Sequence, residues 1–496
     1  MRERLDRFFT GRVILVIGWL WFLVYAFPGY MSYDSVYQLS QARDIDRMNE
    51  WHPPLMAFIW SLLDKLVAGP LLMLVVQSVA FLLGLYFVLR HVMTSRAAAV
   101  AAVVVLLLPQ TIIVMAVIWK DAQMAGFLIA SVAALLSDKR RWRIAGCAFL
   151  FLATAVRYNA AAATLPILLV LWDYRRTLRP WRRYAIATAL WVGITLAAVL
   201  LSALLVEERK YPWQTGSLPV DLVGTIRYSP KLSDEEILRD TAGVPWLYKD
   251  KLQIRVRRTY SPWNTFLEVT QYPKPIIDYI STDEQRAAIT SAFRTLVVAH
   301  PLAFVRHRLG VFNTQLSSCA VVWAGFSNAE WGVDLLGHHA HHSRVQLAWV
   351  QAMEALSPTD LFRVRLYFWL LVVLLPLCWR DRLGRAMVLS GLLYELGLLV
   401  VAPAIDYRYS HWMVVCAIIS SILAVTMRIR RPKPKHAGDD SDRDGRRIEQ
   451  EHVRGAGTDD DLEREVHRHA GIDARLEHAE QTRRAGDRDR TAEQAE

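Results

Sequence analysis

Cysteine is scarce in this chain. Only Cys147, Cys319, Cys378 and Cys416 occur among 496 residues, with no CxxC pair and three of them inside apolar runs. That pattern excludes a disulfide framework and a thiolate metal site. Charge is scarce as well: Asp, Glu, Lys and Arg make up 21%, gathered in short blocks between long apolar stretches. Hydrophobic residues reach 53% and the mean hydropathy is +0.20. A disordered protein, a nucleic-acid-binding domain and an ordinary cytosolic enzyme are all excluded as the main class, and a polytopic membrane protein is indicated. No P-loop, Rossmann glycine fingerprint, HExxH or GxSxG stands where its strand–helix context could form, so nothing suggests work driven by cytosolic nucleotide. Internal repeats are lacking too.

What is present is a series of apolar runs. A hydrocarbon core of roughly 30 Å needs about 20 helical residues. Ten runs qualify: 11–29, 70–90, 97–118, 121–137, 143–157, 159–173, 184–206, 361–379, 385–403 and 411–427. The first follows a basic leader, but Phe27-Pro28-Gly29-Tyr30 stands where a small-residue cleavage site would be, so it is expected to stay as a helix. Basic clusters flank the spans at Arg2/Arg4/Arg7/Arg12, Arg90/Arg96, Lys139/Arg140/Arg141/Arg143, Arg175/Arg176/Arg179/Arg182/Arg183, Arg380/Arg382/Arg385 and Arg428/Arg430/Arg431. With ten spans all of them fall on one side, which the positive-inside rule makes the cytoplasm, with both termini inside a cell membrane. The expected fold is therefore all-α and polytopic, with about ten transmembrane helices over 1–430.

Large outward segments remain, at about 28–69 and 207–360, the latter with an amphipathic helix expected from Thr282 to Gln315. Loops of that length usually carry function. From 432 to 496 there are 13 Lys and Arg against 18 Asp and Glu, a net of −5, so the rest of the chain carries +16 of the total +11. Few apolar residues occur there, and 431–496 is expected to be a disordered, charged cytoplasmic tail.

The densest chemistry lies in the first outer loop. Ser32-Tyr33-Asp34-Ser35 puts a carboxylate just outside the first span, flanked by aromatics that suit a headgroup belt or a sugar-binding surface. Trp51-His52-Pro53-Pro54 then opens a short apolar helix, Leu55 to Leu66, where proline is favoured at the start. An exposed interfacial turn is the plainer alternative. Lys120 and Asp121, in Trp119-Lys120-Asp121, sit between two apolar runs with almost no loop, a costly depth unless the charges pair or line a wet cavity. Arg157, Tyr158 and Asn159 repeat the pattern, as do Arg408 and Tyr409. Both arginines lie on the side where positive charge is disfavoured. A guanidinium fork grips phosphate through two parallel bonds, so a lipid phosphate is one partner, and pairing with Asp121 or Asp406 is the alternative. His338, His339, His341 and His342 could bind zinc or copper, but no spacing or carboxylate motif frames them, and a solvated loop fits better.

The arrangement resembles the GT-C superfamily of integral-membrane glycosyltransferases, which includes protein O-mannosyltransferases and the aminoarabinose transferase of lipid A. The resemblance rests on Tyr33-Asp34-Ser35 directly after the first span and on His52-Pro53-Pro54-Leu55. It extends to Asp121, Arg157, Arg408-Tyr409 and His300-Pro301-Leu302-Ala303-Phe304-Val305-Arg306. It implies a polyprenyl-phosphate-linked sugar donor and an envelope glycan, lipid or protein acceptor reached from the outer side. Asp34 and Asp121 would be the catalytic carboxylates. His52, Lys120, Arg157, Tyr158, Asn159, Arg408 and Tyr409 would bind substrate, the cations holding the leaving phosphate. Many relatives carry paired acids where this chain has Asp34-Ser35, which leaves metal dependence open: no cofactor is assigned, and a divalent cation is the one candidate. The lipid bilayer is an expected partner and nucleic acid is not. Rivals from other classes are a transporter or flippase of lipid-linked sugars and an envelope oligosaccharide polymerase or ligase. Transporters favour internal repeats and mid-membrane charges, whereas the notable charges here gather at one face.

Overall fold

Regular structure is helical throughout the described residues, with three isolated β-bridges and no longer strand. The computed structural model describes residues 10–172, 178–263, 269, 275–325, 337, 342–402 and 404–430. The predicted tail, 431–496, and His338, His339 and His341 lie outside them.

The membrane region is built from α1 (Gly11–Ala26), α4 (Leu71–Arg90), α5 (Ser95–Leu107), α6 (Pro109–Met115), α7 (Lys120–Leu135), α8 (Arg140–Val156), α9 (Ala160–Leu171), α10 (Pro180–Leu205), α17 (Val364–Cys378), α18 (Arg382–Val401) and α19 (His411–Arg430). Every predicted run is thus occupied by helix. By length and composition four helices can cross a membrane, up to six if each of two bent pairs counts as one span. The others are shorter apolar helices or carry charge at one end. Outward faces of α1 (Val16, Ile17, Leu20, Trp21), α10 (Leu196, Val199, Leu200, Leu204) and α17 (Trp369, Val373) expose large apolar side chains. Contiguous apolar faces of that kind are matched to lipid rather than water.

Helices α4 and α7 pack face to face, α7 against α8, α9 against α18 and α18 against α19. Close approach is set by small residues. A Cβ on Gly84 would lie 2.7 Å from the Ala130 nitrogen, and one on Gly126 2.9 Å from the Gln77 carbonyl. In lipid, where apolar contact has no solvent drive, such close backbone packing supplies much of the helix association.

Two predicted continuous helices are broken. The run 97–118 splits at Leu108–Pro109 into α5 and α6, bent by 71°. The amphipathic helix expected over 282–315 is two, α14 (Asp283–Ala299) and α15 (Pro301–Ser317), bent by 104°. The cause is the same at both. Proline lacks the N–H its turn would need and pushes the preceding residue out of the α region, so it begins a helix instead of continuing one. Leu108 (ψ 137°) and His300 (φ −131°, ψ 54°) show that displacement.

Outside the bundle, α2 (Tyr33–Ala42) and α3 (Leu55–Asp64) form the first loop, and α11 (Leu218–Arg227), α12 (Asp234–Asp240), α13 (Leu252–Thr259), α14, α15 and α16 (Arg344–Leu356) form the second outer region. The latter has its own core, including Leu222, Ile226, Val256, Ile289 and Leu296. It is tied to the bundle by a buried ionic group that the sequence did not reveal. Asp221 on α11 pairs with His307 Nε2 at 3.1 Å and Arg308 Nη2 at 2.5 Å, and Arg308 Nη1 donates to the Ala402 carbonyl beyond α18.

Candidate active site

The chain leaves α1 and within a few residues turns into α2, whose first turn carries Asp34. A carboxylate there meets the partial positive charge of the helix N-terminus. What fixes this turn against the distant 116–120 segment is a set of short-range bonds. Tyr30 N–H donates to Ala116 O and Ile118 N–H to Tyr30 O, at 3.0 and 2.9 Å. Ser35 Oγ donates to Ile118 O at 2.7 Å and Trp119 Nε1 to Ser32 Oγ at 2.6 Å. From α4, Gln77 Nε2 donates to Met115 O and Val117 O. Lys120, at the first position of α7, is thereby delivered beside the first loop.

Seven of the nine residues singled out from sequence form one contiguous ionic and aromatic group. Asp34 Oδ2 pairs with Arg408 Nη2 at 2.8 Å, and Asp34 Oδ1 lies 3.6 Å from His52 Nε2. His52 Nδ1 is 2.6 Å from Lys120 Nζ. An ammonium can only donate, so Nδ1 accepts and the imidazole proton sits on Nε2, facing Asp34. Asp121 lies in the first turn of α7 and Arg157 caps the C-terminus of α8; Arg157 Nη1 reaches both Asp121 oxygens at 2.9 Å. The Tyr409 ring joins the two halves, with the Arg157 guanidinium carbon 4.9 Å and that of Arg408 5.4 Å from its centroid. Trp119 stacks on Arg408 from another side, at 4.8 Å.

Of the remaining two, Tyr158 leaves the cluster and Asn159 joins its edge. Tyr158 turns its hydroxyl to Ser202 on α10 and is 40% exposed, apart from the cluster. Asn159 interacts with the Tyr394 hydroxyl, which also accepts from Arg157 Nε. Of the histidine group, His342 is described, and its ring stacks on Tyr30.

Of the alternatives weighed for the arginines, pairing with Asp121 and Asp406 is the one seen among the described residues. Arg157 pairs with Asp121, and Arg408 pairs with Asp406 at 2.9 Å, yet Arg408 also reaches Asp34. Accessibility separates the carboxylates: the Asp121 side chain is fully buried, whereas that of Asp34 is 23% exposed. Of the two carboxylates singled out from sequence it is therefore Asp34 that offers an oxygen to an incoming molecule; Asp406, paired with Arg408, is 38% exposed beside it. Burial would raise the Asp34 carboxyl, but Arg408, then His52 and Lys120, outweigh that and hold it well below the ordinary carboxylate range. Burial first, and Lys120 second, lower His52 below its usual 6.5 against the pull of Asp34, so the imidazole is uncharged at neutral pH.

Sequence reasoning missed Trp119 and Tyr394 as arginine partners, and Gln315 and Glu395 beneath the Asp406–Arg408 turn. Glu395, an acid within the apolar run 385–403, was the readable signal, because such a residue is functional by default. Among the described residues no group of three or more His, Cys, Asp or Glu could hold a metal ion. A cavity of about 690 Å³ lies apart from the cluster, lined by Val100, Val104, Leu370, Ile418 and Ile422 among others. No titratable group lines it.

Neither protein-family models nor curated protein sequences match the chain. Among solved structures it is similar to ArnT from Cupriavidus metallidurans bound to undecaprenyl phosphate, at 12% identity and a TM-score of 0.33, over 86% of this chain and 81% of that one.

Proposed function

We propose that this protein is a membrane glycosyltransferase that moves a sugar from a polyprenyl-phosphate donor to an acceptor hydroxyl on the extracytoplasmic side. One observation carries the proposal. A partly exposed carboxylate, Asp34, stands in a single group with three cations, Lys120, Arg157 and Arg408, at the end of the bundle where α1 and α8 finish and α7 and α19 begin.

The chemistry follows from those charges. In the transfer the bond from the sugar C1 to the phosphate oxygen breaks, its electron pair staying on the phosphate. A bond forms from the acceptor oxygen to C1, and the acceptor proton passes to Asp34. The guanidiniums and the Lys120 ammonium face the oxygen on which negative charge grows, the interaction that lowers a barrier because it strengthens as the bond breaks. In the free protein Arg408 keeps Asp34 weakly basic. A phosphate that draws on Arg408 relaxes that hold, so donor binding prepares the carboxylate for its proton. Asp121, buried and committed to Arg157, orients the cation instead of meeting substrate.

The acceptor is a hydroxyl of an envelope glycan, lipid or protein, and the bilayer presents the donor. Sealed vesicles containing the protein, supplied with polyprenyl-phosphate sugars labelled in the sugar, test the proposal. New glycosidic product together with released polyprenyl phosphate supports it. Movement of the intact lipid-linked sugar across the vesicle wall, with no new glycosidic bond, would assign the protein to transport instead.

A further inference from the structure

Arg408 reaches Asp34 from a tight turn, Tyr407–Ser410, whose geometry is held from outside the bundle. Gln315, on α15 of the second outer region, is fully buried and uses its carboxamide on the backbone of Asp406 from both sides. Its Nε2 donates to Asp406 O at 2.9 Å, and Asp406 N–H donates to its Oε1 at 3.0 Å. The second Nε2 hydrogen goes to Ser410 Oγ at 2.8 Å, and Ser410 in turn donates to Glu395 Oε1 on α18 at 2.9 Å. Ser410 and Glu395 are fully buried as well. One side chain therefore brackets the turn, at its Asp406 entry and its Ser410 exit. Inside the bracket, the Asp406 carboxylate accepts from the Arg408 backbone N–H at 3.1 Å and pairs with the guanidinium.

We infer that Gln315 is a positioning residue: by pinning Asp406 and Ser410 it sets where the Arg408 guanidinium meets Asp34, and so couples the second outer region to the reaction centre. Glutamine suits the task because a primary amide can donate to and accept from one residue's peptide groups at once. Neither a carboxylate nor an aliphatic chain of that length can. Its effect on turnover rests on the glycosyl-transfer proposal; the clamp itself does not.

The test has two arms on the full-length protein. In the first, hydrogen exchange without substrate compares wild type with Gln315→Met. Amides in a peptide covering 406–410 should exchange about tenfold faster, with those of the flanking helices α18 and α19 unchanged. Unaltered exchange there would overturn the clamp. In the second, sugar transfer is measured for Gln315→Met, Arg408→Ala and the double variant. The expected result is a fall in kcat of about 10- to 100-fold for Gln315→Met, as small displacements of positioned groups produce. Almost no further loss should follow when Arg408 is already alanine, because the clamp acts through that side chain. An equal loss in both backgrounds would overturn the positioning role. If Gln315→Met fails to accumulate, Gln315→Glu, which keeps the acceptor and loses the donor, serves both arms. A wild type that transfers no sugar from any polyprenyl-phosphate donor would overturn the transfer proposal alone, and the exchange arm would still decide the clamp.

Discussion

At the residue scale, what matters is which charge water can reach. Arg157 and Asp121 are a buried pair, and stranding one buried ion typically costs 3–5 kcal/mol. Asp121→Asn should therefore lower stability by about that amount, read as a fall in the thermal unfolding midpoint in detergent. Replacing both partners, Asp121→Leu with Arg157→Met, should recover most of it while leaving transfer weak. His52 gives a pH test. Its lowered pKa leaves it uncharged at pH 7, so the proton that would break its bond from Lys120 arrives only below the usual 6.5. Transfer should hold as the pH is lowered to about 6.5 and fall on the acid side of it. His52→Gln should remove that acid limb, and an unchanged limb would assign it to another group. Much of this site was legible because ionisable residues at span ends are conspicuous among apolar neighbours: Asp34, His52, Lys120, Asp121, Arg157 and Arg408 all stood out. Their pairing was not. Asp34 and Arg408 come from opposite ends of the membrane region, and a sequence without its folding topology does not say which of three aspartates an arginine takes.

At the element scale, proline and glycine decide the architecture. Helices α5 and α6, and α14 and α15, meet at sharp bends because Pro109 and Pro301 open new helices, a signal present in the sequence but outweighed by the length of the apolar and amphipathic runs. The ten runs themselves were legible because each is long, apolar and bounded by charge. Helix contacts were not, since they depend on which face of each run is small. Gly84 is the sharpest case: a side chain there meets the backbone of Ala130 and Ile129, not a flexible tip. Gly84→Val should separate α4 from α7 and lower stability by about 1–3 kcal/mol or more, again visible in thermal unfolding. Because α7 begins with Lys120, transfer should fall with it.

At the scale of the whole molecule, the outer regions and the bundle share one centre. The first loop contributes Asp34 and His52, the bundle contributes the cations, and the second outer region holds the Asp406–Arg408 turn through Gln315 and docks through Arg308. The length of that region marked it as functional, yet its two anchoring side chains looked like ordinary polar positions of an amphipathic helix. Among the described residues, those named in the site all lie before 411. Truncation after Lys435 should accordingly leave transfer within about twofold of the full chain, and a large loss would give the acidic tail a role in turnover.

The most direct test is single-turnover sugar transfer by Asp34→Asn beside wild type in identical vesicles, with binding of polyprenyl phosphate followed in parallel. The amide keeps the shape and removes the base. Product formation should fall by about 10²- to 10⁴-fold, with insertion and lipid binding retained. Transfer at the wild-type rate would remove Asp34 from the chemistry and, with it, the proposed active site.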